Sequence, residues 1–294
     1  MERKARLVNG SVSRSLLNLA APMTAGIFAI TAFNLADTYF VARLGTRELA
    51  AMSFTFPVVM LVQSVALGLG LGTASVVSRA IGEGDSGKVR RLATDSLILA
   101  VLVVVLVVSV GLATITPLFR AMGAAPDILP LIRQYMIIWY VGTIFVTVPM
   151  VGNSIIRATG DTKWPSLIMI FAAAINIVID PLLIFGLLGL PRLELAGAAI
   201  ATVIGRASTL ILSLAILHFR ERIIRLSAMS LGAVWQSWKK ILYISIPSAG
   251  ANLLVPVAMG VVVHIAAGFG TAAVAAVGAG ARVDSFAMLP VMAV

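Results

Sequence analysis

Hydrophobic residues in this chain form long blocks, which short polar or glycine-rich segments separate. A helix needs about 20 mostly apolar residues to cross the hydrocarbon core of a bilayer. Eight blocks approach or exceed that length, near 15–40, 48–76, 92–119, 129–156, 164–188, 195–218, 240–267 and 272–294. The pattern therefore predicts an all-α polytopic membrane protein. Because the first block is too long for a cleaved signal peptide and contains Asp37, we expect it to stay in the protein.

The last part of the chain repeats its beginning. With a shift of 225 residues and no gap, Pro22 aligns with Pro247, and GTRELAAM at 45–52 aligns with GTAAVAAV at 270–277, with four identities. Six predicted helices lie between the two starts, so both repeats begin on the same side of the membrane. Parallel repeats of this kind indicate two lobes, as in secondary transporters.

This repeat divides the chain into three parts. We expect a six-helix N-terminal lobe at 1–219, a cytoplasmic amphipathic inter-lobe linker at 220–239, and the start of a C-terminal lobe at 240–294. The second lobe would then hold only two helices, so we expect it to be truncated.

Composition and charge agree with a membrane location. The chain is 60% hydrophobic and 12% charged, whereas about a quarter of residues are charged in soluble domains. If the N-terminus is inside, inner segments hold 15 of the 22 lysines and arginines and outer segments hold 5. This asymmetry predicts a multi-pass protein of the cell membrane with a cytoplasmic N-terminus. The net charge of +10 then reflects topology, with membrane lipids as partners, and does not indicate nucleic-acid binding.

Residues typical of enzyme active sites are scarce. The chain has no cysteine and two isolated histidines, which excludes thiolate chemistry and gives no metal site. The glycine-rich turn at 78–85 lacks the lysine–serine/threonine ending of a phosphate-binding loop. We expect no enzymatic activity and no cofactor. If the chain is a transporter, the absence of a phosphate motif means that its energy comes from an ion gradient.

Acids inside the predicted helices are the strongest candidates for function, because they are expensive to retain in a membrane. Asp37 lies three residues after Asn34, and Asp180 lies four residues after Asn176, so each pair shares a helical face. Both acids fall in the outer halves of their helices. Two carboxylates in a low-dielectric cavity do not readily ionise together. Such a pair can hold a proton or, with amide and backbone oxygens, a sodium ion; a purely structural polar contact is the alternative.

Proline and the other charged residues give weaker indications. Pro22 removes a backbone hydrogen bond and favours a helix bend. It recurs as Pro247, whereas Asp37 aligns with Val262, so the bend is a feature of both lobes and ion coupling is assigned to the acid. Three intramembrane charged residues receive no role from the sequence: Arg206, Arg282 and Asp284.

Several separated motifs together are specific. They are LAAPMTAG and NLADTYFVARLG in the first helix, GLGTASVVSRAIGEGD after the second, GNSIIRATGDTKWP between the fourth and fifth, and then NIVIDPLLIFG, LAGAAIATVIG and ISIPS. This set resembles the multidrug and toxic compound extrusion (MATE) transporters, in particular their DinF-like prokaryotic branch. The resemblance covers essentially the whole chain.

The resemblance implies a twelve-helix, two-lobe antiporter that is monomeric when complete. It would export cationic amphipathic drugs or metabolites in exchange for protons or sodium. By position, Asp37 matches the acid that takes the coupling ion, Asn176 and Asp180 match its partners, and Pro22 matches the bend of the first helix.

The resemblance also implies a substrate cavity. Tyr135 and Asn153 match polar positions that line it, and Asn34 is expected beside them on the face of Asp37. Ala198 stands where relatives can have a threonine, so Thr202, one turn further, is the expected replacement.

Two other interpretations remain open from the sequence. A lipid-linked oligosaccharide flippase of the same broad superfamily would need cationic residues in its cavity to bind pyrophosphate, and the first lobe has few besides Arg206. A truncated membrane fragment that does not transport is the other.

Overall fold

Long helices joined by short turns make up the computed structural model, which describes residues 12–224 and 231–287. Within these ranges the chain forms nine α-helices and no β-strand. The helices are α1 Val12–Ala42, α2 Thr46–Gly82, α3 Ser86–Ala121, α4 Leu129–Gly142, α5 Ile144–Ala158, α6 Lys163–Phe185, α7 Glu194–Ala215, α8 Leu231–Ala267 and α9 Thr271–Ala287. The all-α prediction is confirmed.

Seven segments of the described chain are long and apolar enough to span a membrane, and α4 and α5 together form one of them. These seven correspond to the first seven hydrophobic blocks. The eighth block is represented by α9, of which 17 residues are described. The prediction of a polytopic membrane protein therefore agrees with the helices that form.

The fourth predicted helix, 129–156, is divided at Thr143. The Thr143 hydroxyl donates to the carbonyl of Trp139 at 3.2 Å, and the Val146 amide bonds the Thr143 carbonyl at 3.0 Å, three residues back. Gly142, just before the break, contacts Val203 of α7 closely. Hydropathy did not reveal this break because both halves are equally apolar.

The start of α8, which corresponds to the seventh predicted block, also differs from the prediction. Residues 225–230 of the expected linker lie outside the described residues, and its last part, 231–239, belongs to α8. The Trp238 indole donates to the carbonyl of Asp95 on α3 at 2.9 Å, and Ser237 is buried. This segment is helical because it packs against α3, so the helix begins nine residues before the predicted residue 240.

α2 lies at the centre of the bundle and packs against α3, α5, α8 and α9. Its glycines allow α8 to approach. A Cβ on Gly72 would lie 2.7 Å from the Ile241 carbonyl oxygen, and one on Gly68 would lie 2.8 Å from that of Ser245. Small residues at such crossings let helix backbones pack closely in membranes. On the other side of the bundle, α6 packs between α1 and α7.

Basic residues concentrate at one end of the bundle, which we call the basic end. It comprises the turns at 83–85 and 159–162, the end of α7 and the start of α8. An ion pair of 2.7 Å between Arg220 and Asp161 ties the segment that follows α7 to the second turn. At the opposite end, Arg47 and Asp127 form an ion pair of 3.3 Å.

Substitution Gly72→Ala tests the packing of α2 against α8. The added Cβ meets the backbone carbonyl of Ile241, which cannot move without shifting α8, and overpacking of this kind costs about 1–3 kcal/mol. We expect a lower melting temperature of the purified protein in detergent. Gly250→Ala on α8 is the control, since a Cβ there meets nothing within 4 Å. Equal melting temperatures of the two variants would contradict this account of the interface.

Candidate functional site

A polar cavity of about 80 Å³ lies between α1, α2, the α4–α5 pair, α7 and α9, and we call it the central cavity. Its polar lining consists of Asn34, Asp37, Thr55, Gln63, Tyr135, Trp139, Thr202, Arg206 and Arg282. A space of this size holds only a few water molecules, at about 30 Å³ each. Of the four residues expected in a substrate cavity, three line the central cavity: Asn34, Tyr135 and Thr202.

The fourth, Asn153, is not among the residues that line the central cavity. It lies on α5 closer to the basic end, next to Gly152, whose Cα faces Ser213 of α7. The side-chain amide oxygen of Asn153, Oδ1, is buried without a hydrogen-bond partner in the described structure. Only the resemblance to MATE transporters had assigned Asn153 to the substrate cavity.

α1 brings Asp37 to the cavity wall. Asp37 is 6% exposed, and its Oδ1 has no hydrogen-bond partner among the described residues. Asn34 lines the cavity one turn earlier on the same face. Thr38, the residue after Asp37, donates its hydroxyl hydrogen to the backbone carbonyl of Asn34 at 2.7 Å. This hydrogen bond lies within α1, so the donor is not available to the cavity.

α6 supplies a second buried polar pair. Asp180 is fully buried, and neither carboxylate oxygen has a hydrogen-bond partner in the described structure. One turn earlier, the Asn176 amide donates to the carbonyl of Ala172 at 2.9 Å, which leaves its Oδ1 without a partner. The amide packs against Gly205 of α7, where a Cβ would lie 2.6 Å from Cγ of Asn176.

α1 packs against α6, and the charges of Asp37 and Asp180 interact across this contact. Tyr135 lines the central cavity together with Asp37. Four acceptor oxygens, one on Asp37, one on Asn176 and two on Asp180, are buried without a hydrogen-bond donor in the described structure; Asp180 and Asn176 are not among the residues that line the central cavity. Leaving buried acceptors unsatisfied costs about 1–3 kcal/mol each. A proton or a cation with a preference for oxygen ligands removes that cost, and Na⁺ fits a set of carboxylate and amide oxygens.

Arg206 on α7 and Arg282 on α9 also line the central cavity, and sequence reasoning gave them no role. Arg282 is buried, with its guanidinium 5.1 Å from the centre of the Phe56 ring. Its charge interacts with that of Asp37. An arginine inside a predicted membrane helix was the sequence signal for a functional role. The direction of the Arg282 side chain, however, depends on how α9 packs. Asp284, two residues further, is exposed.

Pro22 lies far from the cavity. α1 is continuous through this proline, and the 15 residues to Asp37 correspond to about 22 Å of helix. One turn after Pro22, Gly26 lets α1 approach α6, where a Cβ would lie 3.2 Å from Cα of Ser166. Along α1, the structure thus separates the position of the predicted bend from Asp37.

Comparison with known proteins gives consistent results. The MatE family model matches residues 22–182. The chain is 41% identical, over its whole length, to 65% of a protein of Shewanella oneidensis named FAD transporter. It is 26% identical to a protein of Thermotoga maritima named probable multidrug resistance protein NorM, with 95% of this chain and 60% of that protein aligned.

Among solved structures, the chain resembles a MOP superfamily transporter from Pyrococcus furiosus, described with the words "reverse polarity of binding pocket suggests different function". The TM-score is 0.83 at 30% identity, covering 98% of this chain and 64% of that one. The chain therefore spans 60–65% of the length of these relatives.

A double substitution tests the contact between Asn176 and Gly205. Gly205→Ala should lower the melting temperature, because the new Cβ occupies the space of the Asn176 amide. Asn176→Ala in the same protein removes the clash, so the pair should be more stable than the sum of the single effects, by about 0.5–3 kcal/mol.

Thermal unfolding of both single variants and the double variant in detergent measures this coupling. Gly280→Ala is the control, since a Cβ at Gly280 meets nothing within 4 Å. Additive effects of the two substitutions would show that Asn176 does not occupy this position.

Proposed function

Because this chain belongs to the MatE family of transporters, we propose that it moves a small organic molecule across the cell membrane, driven by a proton or sodium gradient. Proteins of this family are transporters and not enzymes. The chain spans 60–65% of the length of its relatives. The transport activity known by name for whole relatives is therefore proposed for this chain, as part of the same proposal.

The observation that carries the coupling proposal is the group of buried acceptor oxygens on Asp37, Asp180 and Asn176. With both carboxylates charged, repulsion in a low-dielectric site opposes the packing of α1 against α6. A bound proton or sodium ion removes this repulsion. Ion binding and release would thus change the free energy of α1–α6 packing, and Pro22 is the position at which α1 bends in response.

The orientation of the chain rests on its basic end. Within the described residues, eleven lysines and arginines lie at that end and five at the other. Because basic residues are retained on the cytoplasmic side, this asymmetry supports an orientation with the basic end inside and Asp37 in the outer half of the membrane. The coupling ion would then enter from outside.

For the substrate we favour an anionic aromatic molecule of the FAD type. Two arginines and Asp37 line the central cavity, and arginine pairs bidentately with phosphate oxygens. Tyr135 and Trp139 offer rings on which a flavin or adenine can stack. The name of the Shewanella relative supports this choice. The cavity of about 80 Å³ is far smaller than a dinucleotide, so binding requires the surrounding helices to separate, as alternating access demands.

Export of cationic amphipathic drugs is the second candidate. It is supported by Asp37 in the cavity wall and by relatives named as multidrug resistance or export proteins. A cationic substrate would compete with the ion at Asp37, which gives exchange. The arginines also agree with pyrophosphate binding by a flippase, but the named relatives favour a soluble substrate.

Asp37→Asn tests the coupling role. The amide cannot take up a proton or carry the charge that holds sodium, so gradient-driven transport should fall roughly tenfold or more, within the range of typical coupling energies. Transport of FAD and of ethidium by the protein in liposomes, with proton and sodium gradients imposed separately, measures the effect. Asp284→Asn is the control, because Asp284 is exposed and outside the cavity. Undiminished gradient dependence in Asp37→Asn would exclude the coupling role.

Arg282→Gln tests the substrate class. Loss of a charged hydrogen bond to phosphate should weaken FAD binding roughly tenfold or more, whereas ethidium binding should be unchanged or stronger. Fluorescence titration of the purified protein with each compound measures this. Arg133→Gln is the control, since Arg133 is exposed and does not line the cavity. If the two variants bind FAD equally well, the anionic substrate is wrong.

A further inference from the structure

A second polar space, which we call the basic cleft, opens at the basic end between α2, the start of α3 and α8. It has a volume of about 460 Å³ and is lined by one acid, Glu83, and four cations, Arg79, Lys88, Lys239 and Lys240. Glu83 forms an ion pair with Lys88. The other three cations have no ion pair within the part of the chain that the structure describes. The cleft therefore has an excess of positive charge.

Packing of α8 holds the two lysines in place. Just before them, Trp238 bonds the Asp95 carbonyl of α3 at 2.9 Å. Just after them, the buried Ile241 packs against Gly72 of α2. These contacts fix the rotation and height of α8, so Lys239 and Lys240 line the same cleft as Arg79 of α2.

An apolar strip leads away from the basic cleft along α8. Tyr243 lies one turn after Lys239 and is 83% exposed, and Ile246 follows three residues later and is 65% exposed. The spacings of four and three residues put all three on one helical face. On the other side of Lys239, its ammonium lies 5.4 Å from the Trp235 ring, and tryptophan is typical of the membrane interface.

We propose that the basic cleft binds the phosphate headgroup of an anionic phospholipid. The unpaired cations supply charge for the phosphate, and the Tyr243 hydroxyl can donate to it. The strip of Tyr243 and Ile246 gives an acyl chain an apolar surface directly below the headgroup. A free phosphate ion would use the cations but not this strip, which is why a lipid is the better match. The lipid would contact α2 and α8 at once and stabilise their packing at this end.

Neutralising Lys239 and Lys240 tests the site. The variant Lys239→Gln/Lys240→Gln removes two positive charges, each contributing to attraction of an anionic headgroup, so its apparent affinity for phosphatidylglycerol should fall roughly 30-fold. The matched control is Arg90→Gln/Lys163→Gln, which removes the same charge from exposed residues of the basic end outside the cleft. The charge-conserving Lys239→Arg/Lys240→Arg should retain affinity and shows that substitution at these positions does not unfold the protein.

The measurement is the melting temperature of the purified protein in neutral detergent, titrated separately with phosphatidylglycerol, phosphatidylcholine and inorganic phosphate. We expect stabilisation by phosphatidylglycerol alone, lost in the glutamine variant of the cleft and kept in both other variants. Equal stabilisation of the cleft variant and the control would overturn the proposal. Stabilisation of the parent protein by inorganic phosphate as large as that by phosphatidylglycerol would overturn the lipid as occupant. Transport activity does not enter these readouts, so they are independent of the proposed function.

Discussion

Two buried carboxylates, Asp37 on α1 and Asp180 on α6, are the strongest physical constraint on the packing of these two helices. Asp180 has no exposed surface and no hydrogen-bond partner in the described structure, and Asp37 interacts with its charge. In hydrocarbon such groups persist only where a proton, a cation or a positive side chain compensates them. The contact of Asn176 with Gly205 extends the same constraint to α7, so three helices are positioned around the acids.

The hydrophobic pattern predicted the membrane helices and the candidate acids because both follow from local rules. Block length determines what can cross a bilayer, and the spacings of Asn34 with Asp37 and of Asn176 with Asp180 place each pair on one face. The facing of α1 and α6 was only a hypothesis from sequence, because periodicity says which residues share a helix face but not which helices meet. The packing of α6 between α1 and α7 brings them together.

Features that the sequence did not predict depend on contacts between distant segments. Arg282 reaches the central cavity because Gly278, one turn earlier, packs against Ser53 of α2, which fixes the rotation of α9. The helical state of 231–239 depends on the bond from Trp238 to Asp95 on α3. In both cases a small or aromatic residue far along the chain selects the orientation, and neither hydropathy nor charge counts contain that information.

The charge of the central cavity links substrate class to the direction of coupling. A cationic substrate and the coupling ion both seek the negative charge of Asp37, so each weakens binding of the other, and alternation between them gives exchange. An anionic substrate, as proposed above, would instead pair with Arg282, whose charge otherwise interacts with Asp37. Neutralising that arginine leaves Asp37 with less compensation, so a cation binds there more readily, and by linkage the cation promotes substrate binding by the same factor. Arg282 would therefore favour joint binding of the proposed anionic substrate and the ion, whereas the carboxylates alone would favour exchange. Binding of FAD measured with and without sodium, or across pH, would report the sign of that linkage directly.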